Sequence, residues 1–177
     1  MDKQRPLESE RLLFRELIAA DAPHIQILAS DKRVAEMTAR ILHPYPEGAA
    51  IEWIAKHESL RREYKEVNFA IILKSTQLII GCIGLVLNEN RDAELGYWVG
   101  VEHWGNGYAT EAVKSIILFS FNELGSASIK ARVLSRNPAS GKVLLKCGLQ
   151  QLETAAGSCG SKFESLDYYE IQSNFKQ

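Results

Sequence analysis

The sequence predicts a mixed α/β fold, and three observations predict it. Short apolar runs at 68–73, 78–87 and 92–99 follow one another closely, as in an antiparallel meander. Two longer stretches, 47–66 and 108–124, change to a helical period. Glycines or an Asn-Pro pair mark the joints between later strands and helices, as crossover connections require. The resulting order is β-α-α-β-β-β-α-β-α-β-β: about seven strands in a mixed, mostly antiparallel sheet, with about four helices.

Each element has a local cause. Residues 11–17 alternate loosely and read as the first strand. Asp21 then stands as an N-cap before a short helix over 22–29. Pro44 and Pro46 mark a loop. In the next helix Ala50, Trp53, Ile54, His57, Leu60 and Tyr64 share one face. Ser75-Thr76-Gln77 suits a hairpin turn between the second and third strands. The fourth strand, 92–99, ends at Gly100. The helix from 108 to 124 puts Ala109, Ala112, Val113, Ile116, Ile117 and Ser120 on one side, with Phe119 and Phe121 widening the apolar surface. Gly125 stops it. After a strand at 129–134, Asn137-Pro138 opens a helix, with Asn as cap and Pro at the first helical position, and Gly148 ends it. Residues 149–175 should hold two strands around a loop, Gly157-Ser158-Cys159-Gly160.

Size and composition exclude several classes. The 177 residues suit one domain, 1–177, with room for a substantial core. Apolar residues make up 46% and charged residues 24%, ordinary for a globular chain. A net charge of −1 argues against direct nucleic-acid binding over the whole surface. Cys82, Cys147 and Cys159 have no CxxC or Cys/His ligand spacing, which argues for a reducing cytoplasm and against a structural metal. The first six residues lack the apolar core of a signal peptide, and no run reaches transmembrane length, so no membrane partner is expected. Monomer and homodimer both remain open.

The stretch Trp104-Gly105-Asn106-Gly107-Tyr108-Ala109-Thr110-Glu111 carries the most chemistry. Glycines there let backbone N–H groups approach an anion, and the following helix points its positive end at the same spot. It is no Walker A loop, because no Gly-Lys-Ser/Thr follows, and its glycine spacing is not that of a dinucleotide fingerprint. A tight strand-to-helix connection without a ligand explains the glycines alone equally well. Asn137-Pro138-Ala139-Ser140 opens a second helix directly after a strand, and two such helix starts can meet at one cleft of a mixed sheet.

These segments together, with Ala93-Glu94-Leu95-Gly96-Tyr97-Trp98-Val99 before them and Lys146-Cys147-Gly148-Leu149 after, resemble the Gcn5-related N-acetyltransferase (GNAT) superfamily. The branch they most resemble is the RimJ/RimL-like ribosomal-protein N-acetyltransferases, as does the opening Ser9-Glu10-Arg11-Leu12-Leu13-Phe14-Arg15. The resemblance implies the GNAT fold, with the sheet splayed between its fourth and fifth strands, and acetyl-CoA as co-substrate without a metal. The family's R/Q-x-x-G-x-G/A pattern falls on 104–109, with Trp104 in place of Arg or Gln. Gly105, Asn106, Gly107, Tyr108, Ala109 and Thr110 would then hold the pyrophosphate. Tyr97, Trp98 and Val99 would lie along the pantetheine arm, and Asn137 and Ser140 near the arm and its sulfur.

The reaction implied is transfer of acetyl to a primary amine, a protein N-terminus or a small molecule, by direct attack in a ternary complex. The amine must lose a proton to a base. Glu94 matches the branch's acidic position and is the first candidate. The tyrosine that many members use as the acid is replaced by Leu144, so Ser140 is the nearest substitute. Trp53 and His57 match the region that walls the acceptor pocket, although aromatic residues at helical spacing are also ordinary core. Cys147 reads as structural. The missing tyrosine favours one alternative, a non-catalytic acyl-CoA sensor or scaffold. The stretch 155–162 departs from the branch and leaves the acceptor open.

Overall fold

A computed structural model describes residues 7–63, 65–90, 92–159 and 162–173. The strands are β1 (Leu7–Glu8), β2 (Leu12–Glu16), β3 (Glu66–Leu73), β4 (Leu78–Leu87), β5 (Asp92–Val99), β6 (Ser128–Leu134), β7 (Gln150–Cys159) and β8 (Lys162–Gln172). The helices are α1 (Ala22–Ala29), α2 (Lys32–Met37), α3 (Ala49–Arg62), α4 (Tyr108–Asn122) and α5 (Pro138–Lys146). One eight-stranded sheet runs β1-β2-β3-β4-β5-β6-β8-β7. Every neighbouring pair is antiparallel except β5 and β6.

The sheet is the middle of three layers. Ala22 and Ile25 of α1, with Ala50 and Ile54 of α3, pack on Ala70, Ile72, Ile79 and Cys82. Ala112, Val113, Ile116 and Ile117 of α4, with Leu144 of α5, pack on the other face against Leu12, Ile71, Ile83, Leu95 and Ile129. Strand alternation sends successive side chains to opposite layers. A fully buried isoleucine such as Ile116 contributes about 1.5–3 kcal/mol. The register breaks once between β3 and β4, where Ile71 faces Gly81 but Ile72 faces Ile79. Ile80 is the extra residue of this bulge, so Ile80 and Ile83 both face α4. A Cβ on Gly81 would run into the Trp98 carbonyl, which explains the glycine.

Four expectations need correcting. Among the described residues the strands number eight, because the two-residue β1 pairs with Leu13 and Phe14 of β2. The α-helices among the described residues number five: α2 has six residues, under two turns and too short to show a period, and its cap is Asp31, whose side chain accepts from the Arg33 N–H. Asp21 stands at the N-cap position of α1 as expected, but its side chain makes no capping bond. Its carboxylate accepts from both Arg15 Nη atoms at 2.7 and 2.8 Å and from the Ile18 N–H at 2.9 Å. Gly157, Ser158 and Cys159 are strand rather than loop, since β7 stays paired with β8 out to Cys159 and Lys162. Gly160 of that loop and Tyr64 of the α3 face lie outside the described residues.

The expected caps of α4 and α5 are present. Gly107 precedes α4 with φ 79°, and Gly125 has φ 64° beyond its end. Asn137 Oδ1 accepts from the Ser140 N–H at 3.1 Å, Pro138 is the first helical residue, and Gly148 follows with φ 93°.

Candidate active site

The site begins where the sheet opens. β5 and β6 share three residue pairs, Asp92–Ser128, Ala93–Ile129 and Glu94–Lys130, and then part. From Leu95 to Val99, β5 has no strand partner on that side among the described residues. A parallel pair that separates leaves backbone donors and acceptors facing the gap. The closed end is tied by side chains. Asp92 accepts from Ser128 Oγ at 2.7 Å and Lys130 Nζ at 2.8 Å. Glu94 Oε1 accepts from Arg132 Nη2 at 2.6 Å and Nε at 3.1 Å.

At the other end of β5 the chain turns through the glycine segment. Gly105 and Gly107 have φ 76° and 79°, a region that costs other residues energy. The first N–H groups of α4, on Tyr108, Ala109 and Thr110, have no acceptor in the helix, and none elsewhere among the described residues. Side chains hold the turn from outside. Trp104 Nε1 donates to the Val99 carbonyl at 2.6 Å, and Asn106 Nδ2 donates to the Trp104 and His103 carbonyls. Those two side chains therefore shape the turn, while the N–H groups of residues 105–110 have no acceptor among the described residues.

Three further residues anchor the turn, and sequence reading missed them in that role. Arg11 Nη1 donates to the Asn106 carbonyl at 3.0 Å, and its guanidinium lies 4.6 Å from the Tyr108 ring centre. Glu111 accepts from Arg11 Nε at 2.7 Å, the Arg11 N–H at 2.8 Å and Ser9 Oγ at 2.7 Å. Ser9 and Arg11 lie about a hundred positions before Glu111, so no local spacing connects them.

Between the two ends, a cavity of about 360 Å³ connects about half of the expected site residues. Trp53, His57, Glu94, Tyr97, Trp98, Asn137 and Ser140 all line it, and so does Leu144, which is 0% exposed. Val99, Trp104 and 105–110 do not line it; they lie at the far end of β5. The floor is β4 and β5 around the paired Gly84 and Gly96. Nothing lies within 4 Å of where a Cβ on Gly96 would be, so that glycine leaves open space on the floor.

Inside the cavity the polar groups form two clusters. Tyr97 and Ser140 share a hydrogen bond at 2.7 Å between their hydroxyls. Burial pushes the Tyr97 phenol well up from its ordinary value, so it stays protonated and able to donate. Asn137 is engaged within the protein: Oδ1 caps Ser140, and Nδ2 donates to the Met37 carbonyl at 3.0 Å. In the second cluster His57 Nδ1 lies 2.8 Å from both Glu66 Oε2 and Asn68 Nδ2, and Trp53 packs edge-on to the imidazole at 4.5 Å. Cys147 Sγ donates to the Thr110 carbonyl at 3.4 Å, and burial pushes its thiol up, as suits a structural cysteine.

Residues 11–150 match the Acetyltransferase (GNAT) domain family, so the chain belongs to that family. An N-acetyltransferase of Bacillus subtilis (strain 168) named YoaA and described as uncharacterized is 32% identical over 147 residues, 82% of each chain. The ribosomal-protein-S5-alanine acetyltransferase of Vibrio fischeri superposes with TM-score 0.82 at 20% identity, covering 97% of this chain and 98% of that one. The spermidine N-acetyltransferase of Vibrio cholerae, solved with CoA and spermine, superposes with TM-score 0.78 at 20% identity, covering 93% and 96%. At those identities the two structures are alike in fold.

Proposed function

We propose that this protein transfers acetyl from acetyl-CoA to a primary amine in a ternary complex. The observation that carries the reading is the gap between β5 and β6, with open helix N–H groups at one end and a polar cavity beside it. The N–H groups of residues 107–110 suit the pyrophosphate, since a helix start with left-handed glycines before it leaves donors aimed at an anion. The unpaired edge 95–99 suits the pantetheine amides. Bound there, acetyl-CoA supplies an acyl carbon open to nucleophilic attack. The chain's own residues exclude water, seat the amine and handle protons.

The Tyr97–Ser140 pair suits the departing thiolate. Leu144 has no hydroxyl, but Ser140 lies one turn before it on α5, and Tyr97 brings a second hydroxyl to the same wall. The cavity thus keeps a proton donor where the sequence lost one, which favours turnover over the sensor reading. Ribosomal-protein and polyamine acetyltransferases share this fold, so the fold leaves both protein N-termini and small amines as acceptors. The motifs resemble the RimJ/RimL-like branch, which suggests a cytoplasmic enzyme acting on protein N-termini, while the departure from that branch at 155–162 keeps a small amine equally open.

The test is free-thiol release from acetyl-CoA across a panel of amines that includes peptides of varied N-termini. Turnover with at least one amine supports the reading. CoA binding with no thiol release on any amine favours the sensor instead.

A further inference from the structure

We infer that His57, oriented by Glu66 and Asn68, is the group that takes the proton from the acceptor amine, with Glu94 holding the sheet opening through Arg132. This rests on the acetyltransfer reading above.

The geometry makes the case. The His57 side chain is 13% exposed and Glu66 15%, so the pair is largely withdrawn from water but faces the cavity. Nδ1 lies 2.8 Å from both the Glu66 carboxylate, which only accepts, and the Asn68 amide nitrogen, which only donates; the charged partner is the stronger, which puts the hydrogen on Nδ1 and leaves the lone pair on Nε2. Asn68 Nδ2 then donates to the same Glu66 oxygen at 3.3 Å. Its carboxamide is wedged over Gly84, where any Cβ would collide with it, so the amide is fixed from below. Nε2 has no partner among the described residues. Among the described residues no buried side-chain nitrogen or oxygen is left without one, so Nε2 must reach accessible space. A fixed imidazole with one nitrogen held by a carboxylate and the other open to a cavity is the arrangement of a general base.

Glu94 is placed differently. Its side chain is 41% exposed, and its Oε1 is committed to two Arg132 donors.

The charges around His57 keep it neutral and ready. Burial is the largest influence and lowers its pKa, Glu66 opposes this, and Lys56 and Arg40 reinforce it. Glu58 and Arg61 of α3 and Glu16 of β2 lie by the neighbouring cavity and are ion-paired, Glu58 with Arg62 and Arg61 with Glu16. Glu94 lines the shared cavity from β5. In the step itself, the amine enters uncharged and passes one proton to the Nε2 lone pair as its nitrogen bonds to the acyl carbon. The C–S bond breaks, and the thiolate takes a proton from the Tyr97–Ser140 hydroxyls or water. His57 then releases its proton to solvent, and solvent returns one to the hydroxyl, so that the protons balance.

The experiment combines activity with a titration that needs no acetyl-CoA. Thiol release is measured from pH 5 to 9 for the wild type, H57Q, E66Q and E94Q, beside an NMR titration of the His57 imidazole in the wild type and E66Q. H57Q should lose about 100-fold or more in kcat/KM while still binding CoA. The wild-type kcat/KM should fall at low pH with the imidazole midpoint, below the ordinary 6.5. E66Q should move both to lower pH, and E94Q should leave the low-pH limb in place. If H57Q fails to fold, the agreement between limb and imidazole midpoint decides the matter. A limb that is absent, that ignores the imidazole midpoint, or that disappears in E94Q overturns the assignment. So does an H57Q enzyme within about threefold of the wild type. Thiol release absent from the wild type, with CoA still bound, removes the acetyltransfer reading and this inference with it.

Discussion

Glu111 shows how much one side chain contributes to the glycine turn before α4. It sits in the first turn of α4, where a negative charge is favoured by the helix end. Burial pushes its carboxyl up, but the Arg11 N–H, the Ser9 hydroxyl and the Arg11 guanidinium outweigh burial and hold it below the usual carboxylate range. A depressed folded-state pKa contributes stability above the unfolded value, and that contribution is lost as pH falls through the folded one. Asp21, held by Arg15 and the Ile18 N–H, acts in the same direction. Replacing Glu111 by Ala removes three hydrogen bonds to a charged group and should cost at least about 2 kcal/mol near pH 7. For a chain of this size that is a fall of roughly 4–8 °C in Tm. Thermal melts between pH 3 and 7 provide the check: the gap between E111A and wild type should narrow below about pH 4. A gap that stays constant with pH would assign the loss to packing rather than charge.

At the level of elements, legibility followed the length and spacing of the signal. α4, α5, the β3–β4 hairpin and the glycine turn were readable because periodicity, caps and turn residues agreed within a few positions. β1 and α2 were not, because two and six residues carry no period, and both owe their shape to neighbours. Asp21 misled because an aspartate before a helix looks the same whether it caps or pairs with an arginine six positions back. The cavity was half legible: Glu94, Tyr97, Ser140, Trp53 and His57 were named, but Glu66 looked like the end of a helix and Asn68 like the start of a strand. The glycines of the two site elements predict opposite outcomes. Gly96 has ordinary backbone and open space, so G96V should fold well, β-branched residues being favoured in strands. Its side chain would fill the cavity floor and raise KM for the amine about tenfold or more, roughly 1.4 kcal/mol of lost binding. Gly107 has φ 79°, so G107A should cost about 1–2 kcal/mol in stability and weaken CoA. Melting curves and steady-state kinetics on the two variants separate these effects. A G96V protein with unchanged KM for every amine accepted would place the acceptor elsewhere.

At the scale of the whole molecule, the sheet is two plates joined at a hinge of three residue pairs. β1 to β5 form one plate, and β6, β8 and β7 the other. Below the hinge, α4 is the main splint: its Ala112, Val113 and Ile116 belong to a single buried cluster with Leu12 and Ile83 of one plate and Ile129 and Ala131 of the other. A ligand lying in the gap touches both plates and binds only the folded state, so it stabilises by mass action. At a hundredfold excess over Kd the gain is about 2.7 kcal/mol, or roughly 5–10 °C in Tm. CoA should therefore raise Tm by that amount, and hydrogen exchange should slow in two separate places, the start of α4 at 108–110 and the free edge of β5 at 95–99. ATP carries phosphates but no pantetheine, so any protection it gives should stop at the α4 end. Protection by CoA at the helix start alone would mean that the arm lies outside the sheet, and the parting of β5 from β6 would then need another explanation.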